Sequence, residues 1–246
     1  MSVSRKPVCA VIGAGDGLGA AIARTFARDG LAVALTRRPR HGDEVGALAE
    51  AIRAEGGEAH GFGVDARNED EVRDFVDRVE RDIGPLEALV FNIGANVRFP
   101  VVETTSQVYA KVWEMAAFAG FLAGREAARV MTPRGSGSIL FTGATASLRG
   151  GSGFSAFAGA KHALRALAQS MARELGPKGL HVAHVVIDGA IDGAFIRSIM
   201  PDAAERRERN EILIPDDIAR NYLWLHRQPR SAWTFEMDLR PWKETW

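Results

Sequence analysis

The 246-residue chain carries 31 Lys and Arg against 31 Asp and Glu, a formal net charge of zero, with 46% hydrophobic residues. That balance describes a folded chain able to bury its own core, expected as one domain over residues 1–246, and it argues against a nucleic-acid partner, which would call for a visibly basic chain. One cysteine, Cys9, excludes an internal disulfide and any site built from several thiolates, and it fits a reducing compartment. The basic stretch 1–7 precedes an apolar run, 8–12, too short for a signal sequence. No uninterrupted apolar stretch reaches the roughly 18 residues of a membrane span, so a cytoplasmic protein is expected.

In chain order, the apolar runs 8–12, 32–35, 59–64, 88–91, 138–141, 181–187 and 233–239 are expected as strands, bounded by Gly, Pro, Asn or Asp. Most lack polar–apolar alternation, as strands covered on both faces do. Helical periodicity fills 17–28, 43–55, 69–82, 106–131, 154–175 and 215–226. Asn68 ahead of Glu69, Asp70 and Glu71 combines a cap with a negative first turn, and Gly176-Pro177 stops a helix. This alternation predicts an α/β fold, a doubly wound parallel sheet of seven strands with helices on both faces. Residues 190–214 break the rhythm. They mix Phe195, Ile196, Ile199 and Met200 with the charge run Glu205–Arg209, expected as a solvated face beside an apolar cover for a substrate.

The run Val11-Ile12-Gly13-Ala14-Gly15-Asp16-Gly17-Leu18-Gly19 is a buried strand, a glycine turn and a helix start, the arrangement that brings backbone N–H groups and a positive helix end to a pyrophosphate. After the second strand the chain reads Thr36-Arg37-Arg38-Pro39-Arg40, with no carboxylate to hold a ribose 2′-hydroxyl. Guanidiniums there suit a 2′-phosphate, so NADP is expected over NAD.

With these residues in view the chain resembles the short-chain dehydrogenase/reductase family over nearly its whole length. The spacing Gly13-x-x-x-Gly17-x-Gly19 is that family's variant of the loop. Asp65 and Ala66 follow the third strand where the family contacts adenine. Asn92-Ile93-Gly94 resembles its Asn-Asn-Ala-Gly segment, and Asp188-Gly189-Ala190-Ile191 stands where members have Pro-Gly-x-Val/Ile beside the nicotinamide. The resemblance implies a Rossmann-type single domain, a nicotinamide cofactor touching Gly13, Gly15, Asp16, Gly17, Leu18, Gly19, Arg37, Arg38, Asp65, Ala66, Asn92, Gly94, Lys161, Gly189 and Ile191, a small-molecule substrate, and a homodimer or homotetramer.

The departures concern the chemistry. Where the resembling family has Tyr-x-x-x-Lys, this chain has Phe157 and Lys161. Ala144, with Thr145 beside it, stands for the serine, and Ala117 for an asparagine. The usual tyrosine protonates the alkoxide left by hydride delivery, and a positioned acid contributes about 10²–10⁴-fold to rate. Among possible replacements, Thr145 would orient rather than protonate, Ser152 and Ser155 would line the same pocket, and Lys161 either holds the ribose or donates a proton. Tyr109 and Tyr222 are expected to be structural, His162 to face elsewhere, and His181 and His184 to form no metal site. The reading is an NADP-dependent oxidoreductase with an altered centre, acting on an activated carbonyl, C=C or C=N bond. The alternatives are an NADP-binding pseudoenzyme or sensor, and an enzyme using the nucleotide only structurally. Small residues along 116–124 and 156–168 suit the helix pairing through which the resembling family dimerises, and Trp242 and Trp246 suggest a docking tail.

Overall fold

The computed structural model describes residues 5–245. Seven parallel strands, β1 (Val8–Ile12), β2 (Ala32–Arg37), β3 (Glu58–Gly63), β4 (Leu86–Phe91), β5 (Ser138–Thr142), β6 (His181–Ile187) and β7 (Glu236–Leu239), form one sheet in the order β3-β2-β1-β4-β5-β6-β7. The helices are α1 (Leu18–Arg28), α2 (Gly42–Ala54), α3 (Glu69–Arg78), α4 (Ser106–Trp113), α5 (Ala119–Met131), α6 (Ser155–Leu175), α7 (Ala194–Ile199), α8 (Ala203–Glu208) and α9 (Pro215–His226).

Strand β1 shows how the sequence builds two cores. Val8, Ala10 and Ile12 pack with Phe75, Leu122 and Leu164 on one face; Cys9 and Val11 pack with Ile22, Phe26 and Tyr222 on the other. With both faces covered, a strand is apolar at nearly every position, hence the long apolar runs. Cys9 is fully buried and burial pushes its thiol far up, so it behaves as a small apolar residue. Asn68 caps α3 as expected, accepting from the backbone N–H of Asp70 and Glu71.

Three expectations change in detail. The stretches 69–82 and 106–131 remain helical but pass through π turns at Val79–Ile83 and Glu114–Phe118. The last strand begins at Glu236 because the chain before it is held otherwise: Thr234 donates to the Gln228 side chain, and Trp233 stacks flat on His181 with centroids 4.9 Å apart. The small residues of α5 serve packing inside the chain, since a Cβ on Gly120 would lie 2.5 Å from Leu164 and one on Gly124 2.9 Å from Phe141 and Met171. Trp246 lies outside the described residues; Trp242 is exposed, its indole N–H reaching the Arg209 carbonyl at 3.2 Å.

Candidate functional site

Strand order reverses between β1 and β4, and in open α/β sheets that crevice, outside the carboxyl ends of the strands, is where ligands bind. Here it is formed by the glycine loop and the Asn92 turn. Gly13 and Ala14 donate to the Thr36 carbonyl at 3.1 and 3.0 Å, and Asn92 ties the turn to β1 through Ile12 O at 2.8 Å and Gly13 O at 3.2 Å. Gly13 holds φ +93°, and a Cβ there would sit 2.9 Å from Asn92 O; on Gly19 it would sit 2.5 Å from Gly13 O. Both positions therefore require glycine. A Cβ on Gly15 or Gly17 would instead meet open space. Helix α1 has no side-chain cap and no acidic residue in its first turn, so its positive end is left for an anion.

Two cavities meet at this crevice, sharing Asn92, Ile93 and Gly94. The smaller, about 240 Å³, is lined by Gly13, Gly15, Arg37, Arg38, Asp65, Ala66 and Arg67. Arg37 is held by Glu44, whereas Arg38 makes no ion pair among the described residues. Burial and then crowding by Arg40 and Arg67 hold the Arg38 guanidinium below its ordinary value. Arg67, absent from the sequence reading, grips Asp65 with two bonds of 2.9 and 2.6 Å and holds that carboxylate below its usual range. A basic residue two places from the aspartate was visible in the sequence, but its direction was not.

The larger cavity, about 1060 Å³, runs past Asp16, Gly17 and Leu18 to Ala144, Thr145, Phe157, Lys161, Gly189 and Ile191. Lys161 is 2% exposed; its Nζ donates to Thr142 O at 2.8 Å and Ile93 O at 3.1 Å. Burial lowers its pKa to about 8. One turn earlier on α6, Phe157 presents its ring 5.9 Å from Nζ and brings no hydroxyl. Thr145 opens the turn after β5 and donates from Oγ1 to Asp188 Oδ1 at 2.5 Å. Asp188, 3% exposed behind it, is flanked by Arg149 at 3.7 Å and Arg240 at 3.6 Å. Gly189 holds φ +147° and meets the tail closely: a Cβ would lie 2.8 Å from Pro241.

The cavity wall corrects several expectations. Gly150, Gly151 and Phe154 line it, and Ser152 and Ser155 do not, because that loop turns its glycines and aromatic ring inward. Phe195 and Ile196 line it; Ile199 and Met200 lie beyond the one turn of α7 that faces the cleft. Glu205–Arg209 is not wholly solvated, for Arg207 reaches the cleft and pairs with Asp192 at 2.9 Å, beside the Arg197–Asp192 pair at 2.8 Å. Tyr222 is buried and shares a 2.7 Å hydrogen bond with Thr142, a structural role, while Tyr109 is half exposed with its hydroxyl beside Gly159. His162 bonds the Ala158 carbonyl. Fully buried His184 places Nδ1 3.0 Å from Glu236, itself gripped by Arg165, and burial lowers the imidazole to about 4.

A protein-family model described as short chain dehydrogenase matches residues 7–202. The chain belongs to the short-chain dehydrogenase family. Members are NAD(P)-dependent oxidoreductases, which agrees with the glycine loop and the crevice it borders. A crystal structure of a short-chain dehydrogenase from Rhodopseudomonas palustris is 50% identical, with TM-score 0.83, covering 97% of this chain and 100% of that one. A metagenomic short-chain oxidoreductase solved in complex with NADP is 27% identical, TM-score 0.80, covering 96% of each chain. Gluconate 5-dehydrogenase from Gluconobacter oxydans is 30% identical over 223 residues, 91% of this chain and 80% of its own. Among the described residues no helix is long and apolar enough to cross a membrane.

Proposed function

We propose that this short-chain dehydrogenase transfers hydride between NADP and a small organic substrate, at a centre where Phe157 and Ala144 occupy the places of the family's tyrosine and serine. The observation that carries the reading is that the two cavities adjoin at a shared wall, Asn92–Gly94, with Arg38, which makes no ion pair among the described residues, lining one and Lys161 lining the other. Such a pair of cavities matches an elongated dinucleotide. Arg38 would take the 2′-phosphate, Arg37 and Ala66 would border the adenosine, the α1 N-terminus the pyrophosphate, and Lys161 the nicotinamide ribose, with Gly189 and Ile191 behind the ring. The bound nucleotide supplies hydride chemistry; the protein orients it and excludes water. Substrates needing little acid assistance fit best: activated carbonyl, C=C or C=N bonds. A second reading, an NADP-binding pseudoenzyme, is favoured by the missing hydroxyl at Phe157.

The stacked Trp113, Phe118 and Phe121, partly exposed along α4, the π turn after it and α5, support the expected homodimer or homotetramer, which light scattering of the purified protein measures.

Titration of NADPH and NADH, followed through nicotinamide fluorescence, tests the cofactor. Tight NADPH binding that Arg38→Ala weakens tenfold or more, with NADH little changed, is expected for loss of a charge-assisted contact. Binding of neither nucleotide refutes the reading. With binding established, failure to turn over any carbonyl, enone or imine in a broad panel decides for the pseudoenzyme.

A further inference from the structure

Thr145 has one hydroxyl proton, and the neighbouring carboxylate fixes where it goes. Asp188 Oδ1, 2.5 Å away, can only accept, so Thr145 is the donor and its lone pairs are what it offers to the cleft it lines. Asp188 is flanked by Arg149, which lines the same cleft, and by Arg240. Nearby, the side chains of Ala144 and Phe157 have no polar atom to add, and Lys161 spends two of its three protons on Thr142 O and Ile93 O. At Thr145 the cleft therefore offers its ligand an acceptor, the reverse of a hydroxyl that steadies a carbonyl oxygen, with the Arg149 guanidinium lining the same cleft beside Asp188.

We propose that the Thr145–Asp188 pair selects a nitrogen substrate, a protonated imine and the secondary amine it becomes, over the corresponding ketone. The proposal rests on the hydride-transfer reading above and narrows it. A ketone oxygen would face the lone pairs of Thr145, whereas the N–H of a protonated imine donates to them. In the reaction the reduced nicotinamide gives a hydride to the imine carbon and is itself oxidised. The C=N π pair becomes the nitrogen lone pair, and the N–H proton stays on nitrogen throughout. No acid is required, which agrees with a centre holding Phe157 rather than a hydroxyl. Thr145 is thus a specificity-determining residue and Asp188 a positioning residue that sets the direction of its proton.

Binding to the NADPH-loaded protein tests this without turnover, using a phenyl-substituted pyrrolidine, the matching tetrahydrofuran, which only accepts, and the matching cyclopentanol. The pyrrolidine is expected to bind at least tenfold tighter than the tetrahydrofuran, the discrimination of about one charge-assisted hydrogen bond. Thr145→Val, close in shape, is expected to erase that preference, Thr145→Ser to keep it, and Asp188→Asn to reduce it. NADPH binding by each variant reports that its fold and nucleotide site are intact. Retained NADPH binding with equal affinity for pyrrolidine and tetrahydrofuran overturns the inference, as does a preference that Thr145→Val leaves untouched. A cyclopentanol bound as tightly as the pyrrolidine, and oxidised with NADP⁺, overturns the choice of nitrogen. Absence of NADPH binding by the wild type overturns instead the function reading on which it rests.

Discussion

Lys161→Met isolates the cost of burying an ammonium at the centre of the site. Its Nζ has two backbone carbonyls as partners, and burial brings its pKa from an ordinary 10.5 to about 8. A lysine depressed in the folded state binds fewer protons there than in the unfolded chain between those two values. The fold is therefore penalised below about pH 8 and relieved as pH rises toward 10.5. At about 1.36 kcal/mol per pH unit of difference, the penalty is about 3 kcal/mol at pH 7.5 and falls to below about 0.5 kcal/mol at pH 10.5. Methionine keeps the apolar stem and does not titrate. Its constant effects, including two carbonyls left unpaired, do not change with pH, and the other titrating groups are common to both proteins. Urea unfolding of nucleotide-free wild type and Lys161→Met at pH 7.5, 9 and 10.5 reads the gap directly. The wild type is expected to gain about 3 kcal/mol relative to the variant across that range. Parallel stability–pH curves would show that water or a further partner reaches Nζ and that the ammonium is not desolvated.

Other perturbations test neighbouring elements. His184 is buried neutral with a pKa of about 4 against an ordinary 6.5, so the unfolded chain takes up the proton first as pH falls. Stability is expected to be lost progressively between pH 6.5 and 4, by up to about 3 kcal/mol, and His184→Asn should flatten that limb in urea titrations. Tyr222→Phe leaves the Thr142 hydroxyl unpaired in the core and is expected to cost about 1–2 kcal/mol without altering NADPH affinity. Phe157→Tyr places a phenol one helical turn from Lys161. Ketone reduction, followed by NADPH absorbance, is expected to rise by about 10²-fold or more; no gain would mean that the substrate carbon lies elsewhere in the cleft.

Much of this molecule was determined by local sequence. Strands buried on both faces must be largely apolar, so β1 and β6, the latter with His181 and His184 among its apolar residues, have their observed limits in the sequence, and Asn68 caps α3 through residues two and three places away. Gly13 and Gly19 likewise declare a turn that no side chain fits, and the lack of a hydroxyl at Phe157 is a matter of identity alone. What only tertiary structure decided is where charges and protons point. Arg37 and Arg38 are equivalent as letters, yet the α2 residue Glu44 holds one and not the other. Thr145 meets Asp188 across 43 residues and His184 meets Glu236 across 52, because parallel neighbours β5, β6 and β7 bring their ends together. Side-chain polarity at the site depends on which partner a fold places within hydrogen-bond reach, and periodicity carries no information about partners so distant in the chain.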